Sequence, residues 1–583
     1  MDNRRFILFC VLGAILFLMY QAWQKDHAPK APGYTESPAI DQPATGPGPA
    51  RAPSDGELPE LGPVATESAT GTAQQTAAGG EAETAMTAGQ VVRDDRRIQV
   101  TTDVLRVEID THGGDLRRVE LLGIPVSKAR SDQNLRLLND RLPNFFIVQS
   151  GLVDADETAP SHRSIYKAER EQYALAEGQD SIEVRLFWQD ELGRRVIKTY
   201  SFQRGGYQIG LRHEVHNAGA GEWALSPYVQ FWRTPHSESE DPPFIKTFHG
   251  VGYYEQKESG NSFRFTKERF EDLEDEPISL QQTGGWNAVM ENYFIGAVIP
   301  KAGETNRFYA KPRVIPGGQQ PAYVAGYVGP LQTVAPGAQA LFESKLFIGP
   351  KLQDRLADVA PGFELTVDYG LLTILSKPLF WLLEKLHKLV GNWGFAIVLL
   401  TLVIKLSFWK LSEAQYRAMA RMKKFTPRIQ AIKERYADDR EGMQKAMMDL
   451  YKKEGFNPLA GCWPLLVQFP VFIALYWVLL QSVELRQAPF ILWIQDMSAP
   501  DPFWVLPVMF GVSMWAQQKL SGTAMTMDEM QQKVMMAMPI MLTVFFGFFP
   551  AGLVLYWLVS NLIGIAQQFF ITRKIEREAT AKA

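Results

Sequence analysis

VMMAMPIMLTVFFGFFPAGLVLYWLVSNLIGIAQQFFI, residues 534–571, runs for 38 residues without a charged side chain. As one helix it would be about 57 Å long at about 1.5 Å per residue, nearly twice the roughly 30 Å of bilayer hydrocarbon. Pro550-Ala551-Gly552 stands at its middle, where a helix breaks most readily. The stretch is expected to fold as a hairpin of two membrane helices, 534–549 and 551–571.

Three more apolar segments lie upstream, at 393–409, 459–483 and 502–518, and another, at 6–23, follows Arg4 and Arg5 at the start of the chain. That first segment is longer than the apolar part of a cleaved leader and has no small-x-small site behind it, so an uncleaved anchor over residues 1–26 is expected. Residues 371–389 interrupt Leu, Phe and Trp with Lys377, Glu384, Lys385 and Lys388. Such a segment is expected to lie in the membrane interface. The fold class is then an α-helical polytopic membrane protein with six transmembrane helices, five of them forming a core at 393–571. Basic residues test the topology. The loop after the second span carries twelve Lys and Arg between Lys410 and Lys453, and the tail 572–583 adds Arg573, Lys574, Arg577 and Lys582. The loop 484–501 has only Arg486 beside Glu484, Asp496 and Asp501. Both termini are expected in the cytoplasm.

The front of the chain reads differently. Residues 27–95 are rich in Pro, Ala, Gly, Thr and Glu, too apolar-poor to offset their ordering entropy, and are expected to form a disordered tether. Residues 96–350 hold short alternating runs, such as Leu105, Val107 and Ile109, ended by turn residues, and are expected to form a β-sandwich outside the cytoplasm. A formal net charge of -4 over 583 residues disfavours whole-chain attraction to nucleic acid, so no direct DNA binding is expected. Two cysteines, Cys10 and Cys462, exclude a disulfide scaffold and a Cys-rich zinc module.

The motifs of enzymes are missing. There is no phosphate-binding Gly-rich loop ending in Lys-Ser/Thr and no His-Glu-x-x-His. His213 and His216 are three apart in a strand-like run, so they point to opposite faces and no shared metal is expected. Ser513 has no histidine in any span to act as its base. Neither catalytic residues, nor a cofactor, nor a metal is expected. Lys405 is the one ionisable residue well inside an apolar segment, where an ammonium costs on the order of 3 kcal/mol. Two readings of it stay open at this point. Either it serves a polar function, or it snorkels toward the headgroups near Lys410. Thr401, Gln468, Gln517, Gln518, Ser560, Asn561, Gln567 and Gln568 are each ordinary interhelical glue, yet together with Lys405 and Trp557 they suit a hydrophilic groove open to the cytoplasm. Residues 411–455 have helical periodicity with a break near Ala437, and their basic residues and methionines read either as a solvated face or as a docking surface. The candidate docking residues are Arg421, Lys423, Lys424, Arg428, Met443 and Met447. Trp188, Trp223, Trp232 and Trp286 in the sandwich are expected to be core.

SKPLFWLLEKLHKLVGNWGFAIVLLTLVIK, GFNPLAGCWPLLVQFPVFIALYWVL and FFPAGLVLYWLVSNLIGIAQQ closely resemble the YidC/Oxa/Alb family of membrane protein insertases in its Gram-negative form. TDVLRVEIDTHGGDL and GGWNAVMENYF resemble its periplasmic domain more loosely. The resemblance implies a periplasmic β-supersandwich and an insertase and folding chaperone of the bacterial inner membrane. It also implies nascent inner-membrane proteins, the Sec translocon with its accessory subunits, the ribosome and the lipid bilayer as partners. The family groove carries an arginine where this chain has Lys405, so the charge is kept and the bidentate fork is lost. Thr401, Tyr556 and Trp557, joined here by Phe469 and Phe472, match the substrate-contact region, and residues 411–455 match the cytoplasmic hairpin. Two rivals remain on the residues alone. One is a secondary transporter using Lys405 as an intramembrane ion or solute site, although no inverted repeat is visible. The other is an intramembrane protease using Ser513 and Lys405.

Overall fold

In the computed structural model the alternating runs become strands. The structure describes residues 97–580 except 129, 236–247, 258–261, 316–320, 437–438, 454–462 and 522–528. The expected anchor and tether lie outside the described residues, as does Cys462. Two sheets of eleven and nine strands stack face to face. The strand Gln208–His216 alternates half-buried and buried residues along its whole length, as the pleat of a sheet with one covered face requires. In the larger sheet, Trp223–Arg233 runs antiparallel between Phe146–Val153 and Pro321–Val328, with Tyr228 opposite both Gly151 and Val328. In the smaller sheet, Gln339–Pro350 runs between Gln208–His216 and Phe294–Pro300, where Leu346 lies opposite Ile209 and Val298. Val107, Val119, Leu186, Phe231, Val298 and Leu346 are fully enclosed between the sheets. Each such side chain contributes roughly 1.5–3 kcal/mol.

The strand Gln339–Pro350 changes from alternating to continuously buried over its last five residues. The reason is the segment that follows, which folds back over the sheet as a helical turn at Leu356–Val359 and a 3-10 turn at Phe363–Thr366. Phe363 is edge-on to Trp286 and Phe347 at 4.9 and 5.3 Å, and the Trp286 indole donates to Pro361 O at 3.0 Å. Gly362 takes φ +73°, and a Cβ there would stand 2.3 Å from the Tyr254 ring. Only glycine fits both demands. Trp223, Trp232 and Trp286 are buried, while half-buried Trp188 stacks on Trp223 at 6.4 Å.

The second half is helical. Helix α1 (Thr373–Val390) buries Ser376, Phe380 and Leu383 and turns Ile374, Trp381, Lys385 and Leu389 outward, which is the mixed face of an interfacial helix. Gly391 ends it in a left-handed conformation, and the Asn392 side chain caps α2 (Trp393–Ser407) by accepting from Phe395 N. A 62° bend separates α2 from α3 (Trp409–Arg435), which pairs with α4 (Arg440–Lys453) as a helical hairpin. Next come α5 (Trp463–Gln481), α6 (Val505–Ser521), α7 (Glu529–Phe546) and α8 (Ala551–Thr580). The break at Pro550 falls between α7 and α8. The first N–H groups of α8 are met by the preceding loop, with Ala551 N donating to Ala499 O and Gly552 N to Met497 O.

Of the six expected spans the first lies outside the described residues, and the helices expected to form the other five differ in length. Among the described residues, Ala551–Ile575 alone is long and apolar enough to cross a membrane, and α2 with the start of α3 passes only as a bent pair. Val467–Gln481 and Lys533–Phe546 are shorter apolar helices. The 15 residues of α2 span about 22 Å before the bend cuts the helix off, short of the hydrocarbon thickness.

Candidate functional site

Lys405 lies in the last turn of α2, two residues before its end, and is half-buried. No ion pair among the described residues includes it. Glu413, one turn into α3, is held by Arg417 at 2.9 Å and Lys574 at 3.5 Å. The carbonyl of Lys405 accepts a hydrogen bond from Gln567 Nε2 at 3.3 Å, which joins the end of α2 to α8.

Thr401, expected on the groove and at the substrate surface, is fully buried, and its hydroxyl donates to Ile397 O at 2.7 Å. This corrects the expectation. Packing between α2 and its neighbours encloses the small β-branched side chain, and the backbone one turn back takes its only proton. Gln468, Gln517, Ser560 and Asn561 are half-buried on α5, α6 and α8. Asn561 Nδ2 donates to Ser513 Oγ at 3.4 Å while Ser513 donates to Phe510 O at 2.7 Å, so the serine of the protease reading serves as interhelical glue. Tyr416, at the base of α3, donates to Gly564 O at 3.0 Å and also hydrogen-bonds Gln517. The core thus couples α3, α6 and α8 by polar contacts on either side of Gly564.

The aromatic residues form a connected run. Phe469 is 57% exposed and lies 6.2 Å from Phe472. Phe472 stacks on Trp557 at 4.8 Å and 24° and on buried Tyr556 at 6.3 Å. Trp557 meets Phe510 and Phe546 behind it. Three of the four expected contact aromatics are therefore joined through Phe472, leading from an exposed ring into the centre of the core. On the hairpin, Met443 and Met447 are half-buried, Met448 is 51% exposed and Arg428 is exposed. The side chains of Arg421, Lys423 and Lys424 lie outside the described residues.

Sequence reasoning placed Gln567 among the polar residues of the spans without its partner, and missed Tyr416 and a polar joint between the sandwich and the helical core. In that joint, Arg486 donates to Pro125 O at 3.0 Å and to Val126 O at 2.6 Å, and Gln487 Nε2 adds a bond to Pro125 O. Asn292, at a hairpin tip of the sandwich, donates to Leu480 O at 3.3 Å. Glu484 Oε1 accepts from Gln353 N at 2.9 Å, whereas its Oε2 is enclosed without a partner among the described residues. Burial, with Asp354 adding to it, pushes the Glu484 carboxyl up to about 7. The signal in the sequence is three long polar or charged residues, Glu484, Arg486 and Gln487, within four positions shortly after an apolar helix, but the partner of Arg486 lies more than 350 residues away. His213 is buried and His216 half-buried, and no cluster of three or more metal-ligating side chains occurs among the described residues.

Comparison with known proteins covers both halves. Residues 97–382 match the family model described as the YidC periplasmic domain, and 385–578 match that of the 60Kd inner membrane protein. The membrane protein insertase YidC of Thioalkalivibrio sulfidiphilus is 45% identical over 587 residues, covering 99% of each chain. That of Nitrosococcus oceani is 45% identical over 579 residues, covering 99% of this chain and all of its own. A solved structure titled an active YidC insertase with the first transmembrane domain resolved aligns over 82% of this chain and 92% of its own, with a TM-score of 0.37 and 18% identity.

Proposed function

The chain belongs to the YidC family of membrane protein insertases, and from that premise we propose that it admits the polar flank of an incoming membrane segment beside Lys405 and releases the apolar part past the aromatic run of α5 and α8. It is an insertase of the inner membrane with a periplasmic β-rich domain, acts on nascent membrane proteins, and is not an enzyme. The observation that carries the detailed reading is Lys405. It is a half-buried ammonium on an apolar helix, without a carboxylate partner among the described residues. An unneutralised cation in low dielectric lowers the cost of bringing an acidic tail part-way into the bilayer. Lysine offers a point charge where the family groove carries a guanidinium fork, so attraction rather than bidentate recognition is its contribution.

The remaining parts follow. Gln468, Gln517, Ser560 and Asn561 hydrate the tail, and Phe469, Phe472, Tyr556 and Trp557 receive the substrate helix. Six spans with both termini in the cytoplasm accommodate the basic hairpin on the side of synthesis. The hairpin, through Arg421, Lys423, Lys424, Arg428, Met443 and Met447, meets the ribosome or nascent chain, and the chain works alone or beside the Sec translocon and its accessory subunits. Photocrosslinking from a probe at Trp557 to a stalled nascent membrane protein tests the reading. Adducts that depend on the nascent segment reaching the membrane support it, and their absence in a correctly folded protein overturns it.

A further inference from the structure

The last carbonyls of a helix have no partner within it and must be met from outside. At the end of α2, Ile404 O takes the Phe408 N–H at 3.1 Å and Val403 O takes the Ser407 hydroxyl at 2.9 Å. Lys405 O would take the Trp409 N–H if the helix ran on, but the chain bends by 62° there. Among the described residues no main-chain N–H reaches it, and the Gln567 amide from α8 does. Gln567 is 2% exposed, so its amide is confined and has no water to turn to.

We propose that Gln567 is a positioning residue for Lys405, capping the Lys405 carbonyl across the bend between α2 and α3 and so fixing where the stem of the ammonium starts. This rests on the reading that the Lys405 charge serves insertion. A lysine stem has four rotatable carbons, and its charge can be placed only if its backbone is. Without the donor, the last turn of α2 frays or straightens into α3, and the ammonium samples other depths. A lost hydrogen bond of about 1 kcal/mol corresponds to about a fivefold fall in the population of the capped arrangement.

The test is a double-mutant cycle in the full-length chain reconstituted in vesicles. It uses Lys405→Ala, Gln567→Met and the pair, with two substrates that differ only in an acidic or a neutral translocated tail. Gln567→Met keeps the side-chain volume and removes the donor. The expected result is about a fivefold loss of acidic-tail insertion in Gln567→Met, little change for the neutral tail, and no further loss when Gln567→Met is added to Lys405→Ala. Equal losses in both backgrounds, or none in either, overturn the assignment while leaving the role of Lys405 intact. Indifference to Lys405→Ala itself overturns the reading on which the assignment rests, and the assignment with it. A spin-label pair at exposed Phe395 on α2 and Ala414 on α3 reads the bend without reference to insertion. Its distance distribution should be narrow in the parent and broad in Gln567→Met, and an unchanged distribution overturns the capping role.

Discussion

Replacing Glu484 by Gln should make the joint between the periplasmic domain and the core less sensitive to pH. The carboxyl sits among Gln353, Ser482, Asp354 and Tyr369, with no cation paired to it among the described residues, and burial holds it at about 7 against an ordinary 4.5. A carboxyl raised in the folded state contributes its stability below about 4.5, and that contribution is lost as the pH rises through 7. The ceiling of the loss is about 3.5 kcal/mol, from a difference of about 2.5 pH units at about 1.4 kcal/mol each. Glu484 is only half-buried as a residue, so about 1–2 kcal/mol is expected once solvent screening is allowed for. For a domain of this size that is about 2–8 °C in Tm. Glutamine keeps the oxygen that accepts from Gln353 N and cannot ionise. Thermal unfolding of the full chain in detergent, followed by tryptophan fluorescence at pH 5, 6, 7 and 8, should give similar Tm values for parent and variant at pH 5 and a higher one for Glu484→Gln at pH 8. Asp115, pushed up to about 6 by burial, and Lys198 and Lys351, lowered to about 7 by burial, titrate in the same range in both proteins. Only the difference between parent and variant therefore reports on Glu484. A difference that stays constant from pH 5 to pH 8 refutes the reasoning.

Lys405→Arg should retain insertion in a reconstituted assay, whereas Lys405→Ala and Lys405→Glu should impair it most for substrates with acidic tails; equal insertion by the alanine variant at matched expression would show that the ammonium merely snorkels. Replacing Arg421, Lys423, Lys424 and Arg428 by Gln should slow capture of ribosome-bound nascent chains and flatten its salt dependence, while replacing Met443, Met447 and Met448 by Ser should weaken retention at every salt concentration; binding in nanodiscs across a salt series separates the two. Deleting residues 97–345 should leave insertion largely intact but lower the Tm of the remaining core, because Val483 and Arg486 lose their partners in the sandwich. Complete inactivity of a stable, correctly oriented deletion would count against a self-sufficient core. Arg486→Ala should loosen the joint by about 1–3 kcal/mol, read as earlier proteolysis between the two halves, since two half-buried carbonyls lose a charged donor.

The strands at Ser181–Gln189, Arg195–Gln203 and Gln208–His216, and the break at Pro550, were legible because each is written in local pattern: a period of two for a half-covered pleat, or an apolar run too long for one helix. Lys405 was legible too, because an ionisable residue in an apolar run is conspicuous whatever surrounds it. Thr401 was not, since one turn of helix places it near Lys405 in sequence while the packing of the neighbouring helices decides whether it faces a groove or a seam. Sequence alone therefore determined the two-part organisation, the β and helical classes of its halves, the membrane character of the second and the family, all of which rest on contacts short in sequence or on composition. Tertiary structure alone decided the 62° bend, the meeting of Gln567 with the Lys405 carbonyl across 162 residues, and the joint in which Arg486 reaches Pro125 and Val126 across some 360. A hydrogen bond between distant residues leaves no periodic trace in the chain, because its partners are selected by how the helices and sheets pack and not by what stands next to either one.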